Sequence, residues 1–538
     1  MATLEATLAL VLAVAAVGAL AHWVALPGTL LLVFCGVGLS WVPGLSDLHI
    51  QPEIFFALFI PPLLFADGWL IPKRDLLGVL RPVLMLAFGL VFATVVAIGY
   101  LIHWLIPSLP LAAAFALGAI VSPTDAVATS AATARLPVPS AITNILNGES
   151  LINDASGLVA FKFAVAAVAT GAFSLADAGG QVVLLAAGGF GAGVAVAWAI
   201  GGTRLRLRRA RVEDPTVQTI LSLLTPYAAY FLAESLHVSG ILAVVAAGLY
   251  AGSHDARHLS LATRRHAWEV WTMLLYVFNG LVFLLLGVEL PSVLARIAGT
   301  PWQDLALYAI ALWAALNVVR LVWIFPLANL RPFLFRKVRE REGFPNPRGV
   351  FIVGWAGLRG SVTMAAALSI PLAASGGEPF PGRDLLIFLA GSSIVLTLVV
   401  NGLTLPLFIR YLGVHGDGNA QREERAARIA LAQAGSASVR ESLAHLSRTE
   451  EVALGRRLVD NYERLLHRLS ANAARRAELD ALAEFERKLM LSALRAERAE
   501  LLEMRDAGVI NDQTMRAIES EIDDAESSLS PAHRRGHG

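Results

Sequence analysis

The sequence predicts an all-α polytopic membrane protein that ends in a soluble helical tail. Composition, the recurrence of long apolar stretches and an abrupt change of character near residue 415 predict it. Hydrophobic residues make up 56% of the 538-residue chain and charged residues only 16%, against roughly 25% charged in an average soluble domain. Stretches long enough to cross a bilayer, about 20 residues each, recur from Leu4 to Leu412. About half of all Lys, Arg, Asp and Glu residues then fall after His415.

Taken in order, hydropathy reads about thirteen spans, at roughly 4–21, 26–44, 52–71, 79–106, 111–134, 140–172, 178–202, 215–236, 239–252, 267–290, 302–330, 348–373 and 384–412. The first opens MATLEATLALVLAV, with Glu5 where a signal peptide carries bases, and so reads as a membrane helix. Basic connections (PKRDLLGVLR, ARLPVP, RLRLRRARVED, DARHLSLATRRH and RPFLFRKVREREGFPNPR) alternate with base-poor ones (SDLHIQPE, PSLP, SLADAGG, HVSG, LARIAGTPW and ASGGEPFPGRD). Retention of Lys and Arg on the inner face puts the first set in the cytoplasm, the N-terminus outside and the C-terminus inside. Cys35 is the single cysteine, which excludes a disulfide framework. His22, His103 and His237 lie near loop ends with no metal-like clustering. A net charge of +1 gives no argument for a nucleic-acid partner.

Beyond the last span, VALGRRLVDNYERLLHRL (452–469) and LDALAEFERKLMLSALRAERAELLEM (479–504) repeat apolar residues every three or four positions between alternating charges. That pattern reads as amphipathic soluble helices. The organisation expected is therefore a transmembrane domain over 1–414 and a cytoplasmic helical tail over 415–538. The tail packs on itself, forms a coiled coil or regulates; periodicity names no ligand.

One apolar stretch carries acids. On a helix through GESLINDASGLVAFKF (148–163), Ser150 and Asp154 share a face, and Glu149 and Asn153 share the adjacent one. A hydroxyl, two carboxylates and an amide at membrane depth are hard oxygen donors, suited to an alkali cation or a proton. The alternative is hydrogen bonding between helices. In the preceding span, FALGAIVSPTDAVATSAATA, Pro123 disfavours helix at Ser122 and breaks the chain near Ser122–Thr124. Thr124 and Asp125 then stand at a helix start, where capping is the bland role and ion binding the sharp one.

A second break is expected in VGWAGLRGSVTMAAALSIP (353–371), where Gly354, Gly357 and Gly360 surround Arg359. Both interrupted spans are fifth in their half of the chain, which points to inverted repeats with two crossed broken helices. A buried Arg needs a partner, and Glu149 is the expected one. Lower-ranked polar residues are Glu234, Asn279, Lys162, read as snorkelling to an interface, and Asp67, read as an interface acid beside PKR.

These motifs closely resemble those of the sodium/proton exchanger branch of the cation/proton antiporters, which includes the archaeal NhaP-type proteins. FIPPLLFADGW (59–69), LAESLHVSGILAVVAAG (232–248) and VFNGLVFLLLGVEL (277–290) extend the resemblance through most of 1–412. It implies a homodimer of thirteen-helix chains in a bacterial-type plasma membrane, with a dimerisation domain and a core that moves like an elevator. By motif matching it implies an ion site at Asp125, Ser150, Asp154 and the Thr124 carbonyl, with Asn153 beside it, and a buried Glu149–Arg359 pair. The tail after 415 does not share it.

The function expected is electroneutral exchange of Na+, or Li+, against H+, without a cofactor and without enzymatic chemistry. K+/H+ exchange on the same fold is the alternative. A cation channel seldom needs a titratable acid as its sole ligand. An intramembrane aspartyl protease would want GxGD around Asp125 or Asp154, and neither has it.

Overall fold

Prolines and small polar caps set where the apolar stretches begin as helices. Asp214 accepts a hydrogen bond from the Thr216 N–H ahead of Pro215, and Asn346 accepts one from the Arg348 N–H ahead of Pro347. Ser239 and Ser260 do the same for the two helices that follow them. The computed structural model describes residues 2–21, 23, 28–42, 51–133, 136, 138–170, 175–210, 212, 214–374, 378–414, 416, 418–445 and 448–529.

The chain opens with α1 (Ala2–Ala21), α2 (Gly28–Leu39), α3 (Pro52–Leu70) and α4 (Lys73–Gly78). Next, α5 (Leu80–Leu84) runs through a π turn, Met85–Leu90, into α6 (Val91–Leu105). Two half-helices, α7 (Leu111–Val121) and α8 (Ala126–Thr133), precede α9 (Ser140–Thr170) and α10 (Leu175–Arg209). The second half holds α11 (Pro215–Ser235), α12 (Gly240–His258), α13 (Leu261–Arg296), α14 (Trp302–Leu334) and α15 (Arg336–Glu342). Another broken pair, α16 (Pro347–Trp355) and α17 (Ser361–Leu368), is followed by α18 (Arg383–Leu396), a π turn at Thr397–Gly402 and α19 (Leu403–Tyr411). No strand forms among the described residues, and one isolated bridge joins Ala373 and Pro379.

Every hydropathy span falls on a helix or a broken pair, but the thirteen do not all qualify as crossings. Among the described residues seven helices are long and apolar enough to span a bilayer, or eight if the bent pair α7/α8 is one span. The shortfall has physical causes. The described parts of α1 and α2 are short, α11 and α12 carry hydroxyl, amide and charged residues, and α16 and α17 are separated by their break. Residues 43–50, 134–135, 171–174 and 375–377, which enter the loop-charge argument for orientation, lie outside the described residues, as does His22.

Contacts divide the chain at Asp417/Gly418. In the first unit, the largest buried cluster runs from α1–α3 through α7, α9 and α12 to α17 and α18. Close backbone approach is part of that packing. A Cβ on Gly36 of α2 would overlap the Leu284 carbonyl and Gly287 of α13, and a Cβ on Gly287 would overlap Val33 in return. The second unit comprises α20 (Asn419–Leu443), α21 (Thr449–Ser470), α22 (Ala473–Asp506) and α23 (Asp512–Leu529). There Arg425 caps the end of α21 through the Leu469 and Ala471 carbonyls, at 2.6 and 2.9 Å. Leu501, Met515 and Ile522 form a small core between α22 and α23.

Overpacking a tight site typically costs about 1–3 kcal/mol, and backbone cannot yield as a flexible side chain does. Gly36→Leu is therefore expected to lower the melting temperature of the detergent-solubilised protein. Gly38→Leu, where an added Cβ meets nothing within 4 Å, should leave it nearly unchanged. Equal melting temperatures for the two variants would show that α2 and α13 do not meet at Gly36.

Candidate functional site

The two broken helices meet at their breaks. The Asp125 N–H donates to the Leu358 carbonyl at 2.8 Å, stitching the chain between α7 and α8 to the chain between α16 and α17. Each break leaves one half-helix ending in unsatisfied carbonyls and another starting with unsatisfied N–H groups. Arg359 serves the carbonyl ends: its Nε donates to Val121, the last residue of α7, at 2.9 Å, and its guanidinium also donates to Gly357 just beyond α16. Asp125 serves the starts. Its Oδ1 accepts from the N–H groups of Val127 (2.7 Å) and Ala128 (3.1 Å) in α8, and its carboxylate also takes the Ser361 N–H at the head of α17. A guanidinium at two carbonyl ends and a carboxylate at two N–H ends match the partial charges of the half-helices.

Gly360 allows this arrangement, since a Cβ there would overlap the Asp125 carboxylate. Pro123 lies within the first break, and Gly357 and Gly360 lie within the second. Helix α9 runs past the crossing. Ser150 Oγ accepts the Ala126 N–H at 3.2 Å, a further contact to the start of α8. The Asn153 amide donates to the Thr124 hydroxyl at 2.9 Å, while its own Oδ1 is buried without a partner. One turn further, Ser156 Oγ donates to the Ala87 carbonyl at 2.5 Å, in the π turn that follows α5.

Asp154 is different. Its side chain is buried, yet among the described residues it makes no hydrogen bond or ion pair. It lines a cavity of about 620 Å³ together with Thr124, Asp125, Ser150 and Asp67. The cavity extends along the Leu70 end of α3 and past Trp268 and Thr272 of α13. At the other ends of these two helices, Pro52, Glu289 and Arg296 line a separate cavity of about 580 Å³.

The expected pair between Glu149 and Arg359 is corrected by the structure. Glu149 faces away from the cavity lining and takes a bidentate ion pair from Arg320 of α14, with Nη2–Oε2 at 2.8 Å and a second contact from Nη1. Both residues are at most 2% exposed. Arg320 also donates to the carbonyls of Val353 (3.1 Å) and Gly354 (3.1 Å) near the end of α16. The nearer guanidinium wins because Arg359 is already committed to the carbonyl ends of the breaks. Sequence reasoning missed Arg320, although an Arg within the apolar stretch ALNVVRLVWIF was signal enough.

Three lower-ranked residues also change standing. Asp67 belongs to the cavity rather than to an interface beside PKR, where it lies within electrostatic reach of Asp154. Lys162 does not snorkel: it pairs with Glu234 at 2.5 Å and lies 5.7 Å from the ring centroids of Phe56 and Tyr230. Asn279 accepts from the Ser361 hydroxyl at 2.6 Å and lines the same cavity as Asp154.

The family model described as sodium/hydrogen exchanger, transmembrane, matches residues 9–411. The chain belongs to the sodium/hydrogen exchanger family. As a member it is a multi-pass transporter, not an enzyme. It is 38% identical over 517 residues to an Na+/H+ exchanger of Escherichia coli K12, with 94% of each chain covered. A sodium, potassium, lithium and rubidium/H+ antiporter of Bacillus pumilus is 38% identical over 510 residues, covering 92% of this chain and 73% of the relative. The fold is similar to that of the sodium proton antiporter MjNhaP1 of Methanocaldococcus jannaschii at pH 8, with a TM-score of 0.58 at 18% identity. That match covers 76% of this chain and 98% of that one. For an exchanger, the crossed breaks and the acid-lined cavity have the chemistry that a monovalent cation and a proton require.

Removing one partner from a buried ion pair costs about 3–5 kcal/mol because the other charge is stranded. Glu149→Gln and Arg320→Ala should each lower thermal stability, and the double variant should lose clearly less than their sum. The cycle between Glu149→Gln and Arg359→Ala should show much weaker coupling. Stronger coupling to Arg359 than to Arg320 would reverse the assignment.

Proposed function

We propose that this exchanger moves one monovalent cation, Na+ or Li+, in one direction for one H+ in the other, without net charge transfer. The observation that carries the reading is the unpartnered carboxylate of Asp154 on a cavity it shares with Asp125 and Asp67. A carboxylate with no protein partner can be neutralised by either a proton or a cation, so the two ligands compete for it. Asp125 is held by three N–H donors, which suits it to be a fixed ligand. Thr124 and Ser150 supply further hard oxygens to the cation. Asn153 stands where a second acid would add a proton carrier, and an amide does not titrate. The named ions of the Bacillus pumilus relative include potassium, which favours K+ as a second substrate.

Alternating access by an elevator-like movement of the crossed-helix core fits two features. The ion-side cavity reaches one end of α3 and α13. Toward the other end, Lys162–Glu234 joins α9 to α11, and Arg296–Asp384 at 2.8 Å joins α13 to α18. Those ties part when the other side opens. A homodimer, with 415–538 as a cytoplasmic tail and the N-terminus outside, completes the proposal.

In proteoliposomes, Asp154→Asn should fold normally and lose cation-driven proton flux, and substantial exchange by this variant would remove Asp154 from the mechanism. Wild-type exchange should respond to pH and cation gradients and ignore an imposed membrane potential. Net movement of one charge would be worth about 2.3 kcal/mol per 100 mV, so a clear dependence on potential in sealed vesicles would refute electroneutrality. Comparing Na+, Li+ and K+ in the same assay fixes the cation. Cation current without proton movement would instead mean a channel.

A further inference from the structure

In the first unit, two fully enclosed side-chain oxygens have no hydrogen-bond partner among the described residues. One is Asn153 Oδ1, beside the crossing on α9. The other is the hydroxyl of Thr363, in the first turn of α17. Thr363 is only 1% exposed. Four buried threonines on other helical segments give their hydroxyls to the carbonyl four residues earlier. Thr129 bonds Asp125, Thr219 bonds Pro215, Thr225 bonds Leu221 and Thr397 bonds Ser393, each at 2.8 Å. Thr363 does not follow them, because α17 starts at Ser361 and the residue four earlier, Arg359, lies in the break. A buried hydroxyl without a partner costs stability, and in a native structure such a group points to an ion or a water as its partner.

Thr363 lines the same cavity as Asp154, Asp125, Thr124 and Ser150. Among its described lining residues that cavity has three acids and no Lys or Arg. Its chemistry therefore selects a cation, toward which a hydroxyl acts as a hard oxygen ligand. Neighbouring polar groups are already engaged. Ser361 Oγ donates to Asn279 at 2.6 Å, Asp125 is held by the N–H groups at the starts of α8 and α17, and Ser150 Oγ accepts the Ala126 N–H. Threonine on a helix has two accessible χ1 positions. With no bond holding it in either, the Thr363 hydroxyl can turn to meet a ligand.

We propose that the Thr363 hydroxyl is a further ligand of the transported monovalent cation, contributed by the second broken helix to a site otherwise drawn from α9 and the first break. The proposal rests on the reading that the cation occupies the Asp154 cavity. A cation held by Asp154 and Thr363 together ties α9 to α17. A proton on Asp154 makes no such tie, so loss of the hydroxyl weakens the cation half of the exchange.

The test uses the full-length protein in proteoliposomes and in detergent, with Na+ as the probe. Thr363→Val keeps the shape of the side chain and removes the hydroxyl. It should raise the apparent KM for Na+ by roughly tenfold, the scale of one lost contact to a charged group. It should also shrink the rise in melting temperature that Na+ gives the wild type. In buffer free of Na+, Li+ and K+ its melting temperature should match or exceed that of the wild type, because the change removes an unpaired polar group. Thr363→Ala should raise KM in the same way, and Thr363→Ser, which keeps the hydroxyl, should stay close to the wild type. A wild-type KM and Na+ shift in Thr363→Val would overturn the proposal. A rise in KM shared equally by the Ser variant would overturn it too, since shape rather than the hydroxyl would then be what matters. With Asp154→Asn inactive, either result removes Thr363 alone. Exchange that persists in Asp154→Asn would overturn the reading of the cavity and this proposal with it.

Discussion

The crossing of two broken helices depends on two charges of opposite sign, each facing helix ends of the complementary sign. Without Arg359 the carbonyls at the end of α7 and beyond α16 would lie in an apolar bundle with no donor. Without Asp125 the first N–H groups of α8 and α17 would be stranded in the same way. Hydrocarbon offers no water to satisfy either set. The Asp125–Leu358 backbone bond and the missing side chain at Gly360 bring the two breaks close enough for one carboxylate to serve both starts.

This arrangement divides labour among acids that look alike in sequence. Glu149 is neutralised by Arg320 and joins α9 to α14 and the end of α16. Asp125 is bound into the backbone of the crossing. Asp154, four residues beyond the Ser150 hydroxyl, keeps an unpaired carboxylate on the cavity. With Asp67 on the same lining, the cavity has three acids and no Lys or Arg among its described lining residues. The structural charges form the frame, and Asp154 is the acid left over on the cavity.

Much of this was legible in the sequence. Pro123 and the glycines around Arg359 mark the breaks, because they act on local backbone geometry. The four-residue spacing of Ser150 and Asp154 puts both on one helix face, and the structure has both lining the cavity. Partner identity was not legible. Arg359 read as a buried charge needing an acid while Arg320 was passed over, and only packing shows that Arg320 is the one that reaches Glu149. Asp67 was misjudged because its distance along the chain from PKR says nothing of its depth or the direction of its side chain. Lys162 was misread for the same reason, since Glu234 lies on another helix 72 residues away.

The Glu149–Arg320 pair also bears on biogenesis. Its partners are 171 residues apart, and ribosomes add about 5–20 residues per second. Helix α9 thus emerges roughly ten to thirty seconds before the arginine that neutralises its glutamate. Through that interval the nascent first half carries an acid whose charge has no guanidinium to meet it. It must hold a proton, borrow a partner from the insertion machinery or wait at the membrane surface. Commitment of α9 to its final depth is therefore coupled to arrival of α14, and a chain that stops between the two has an incomplete membrane domain.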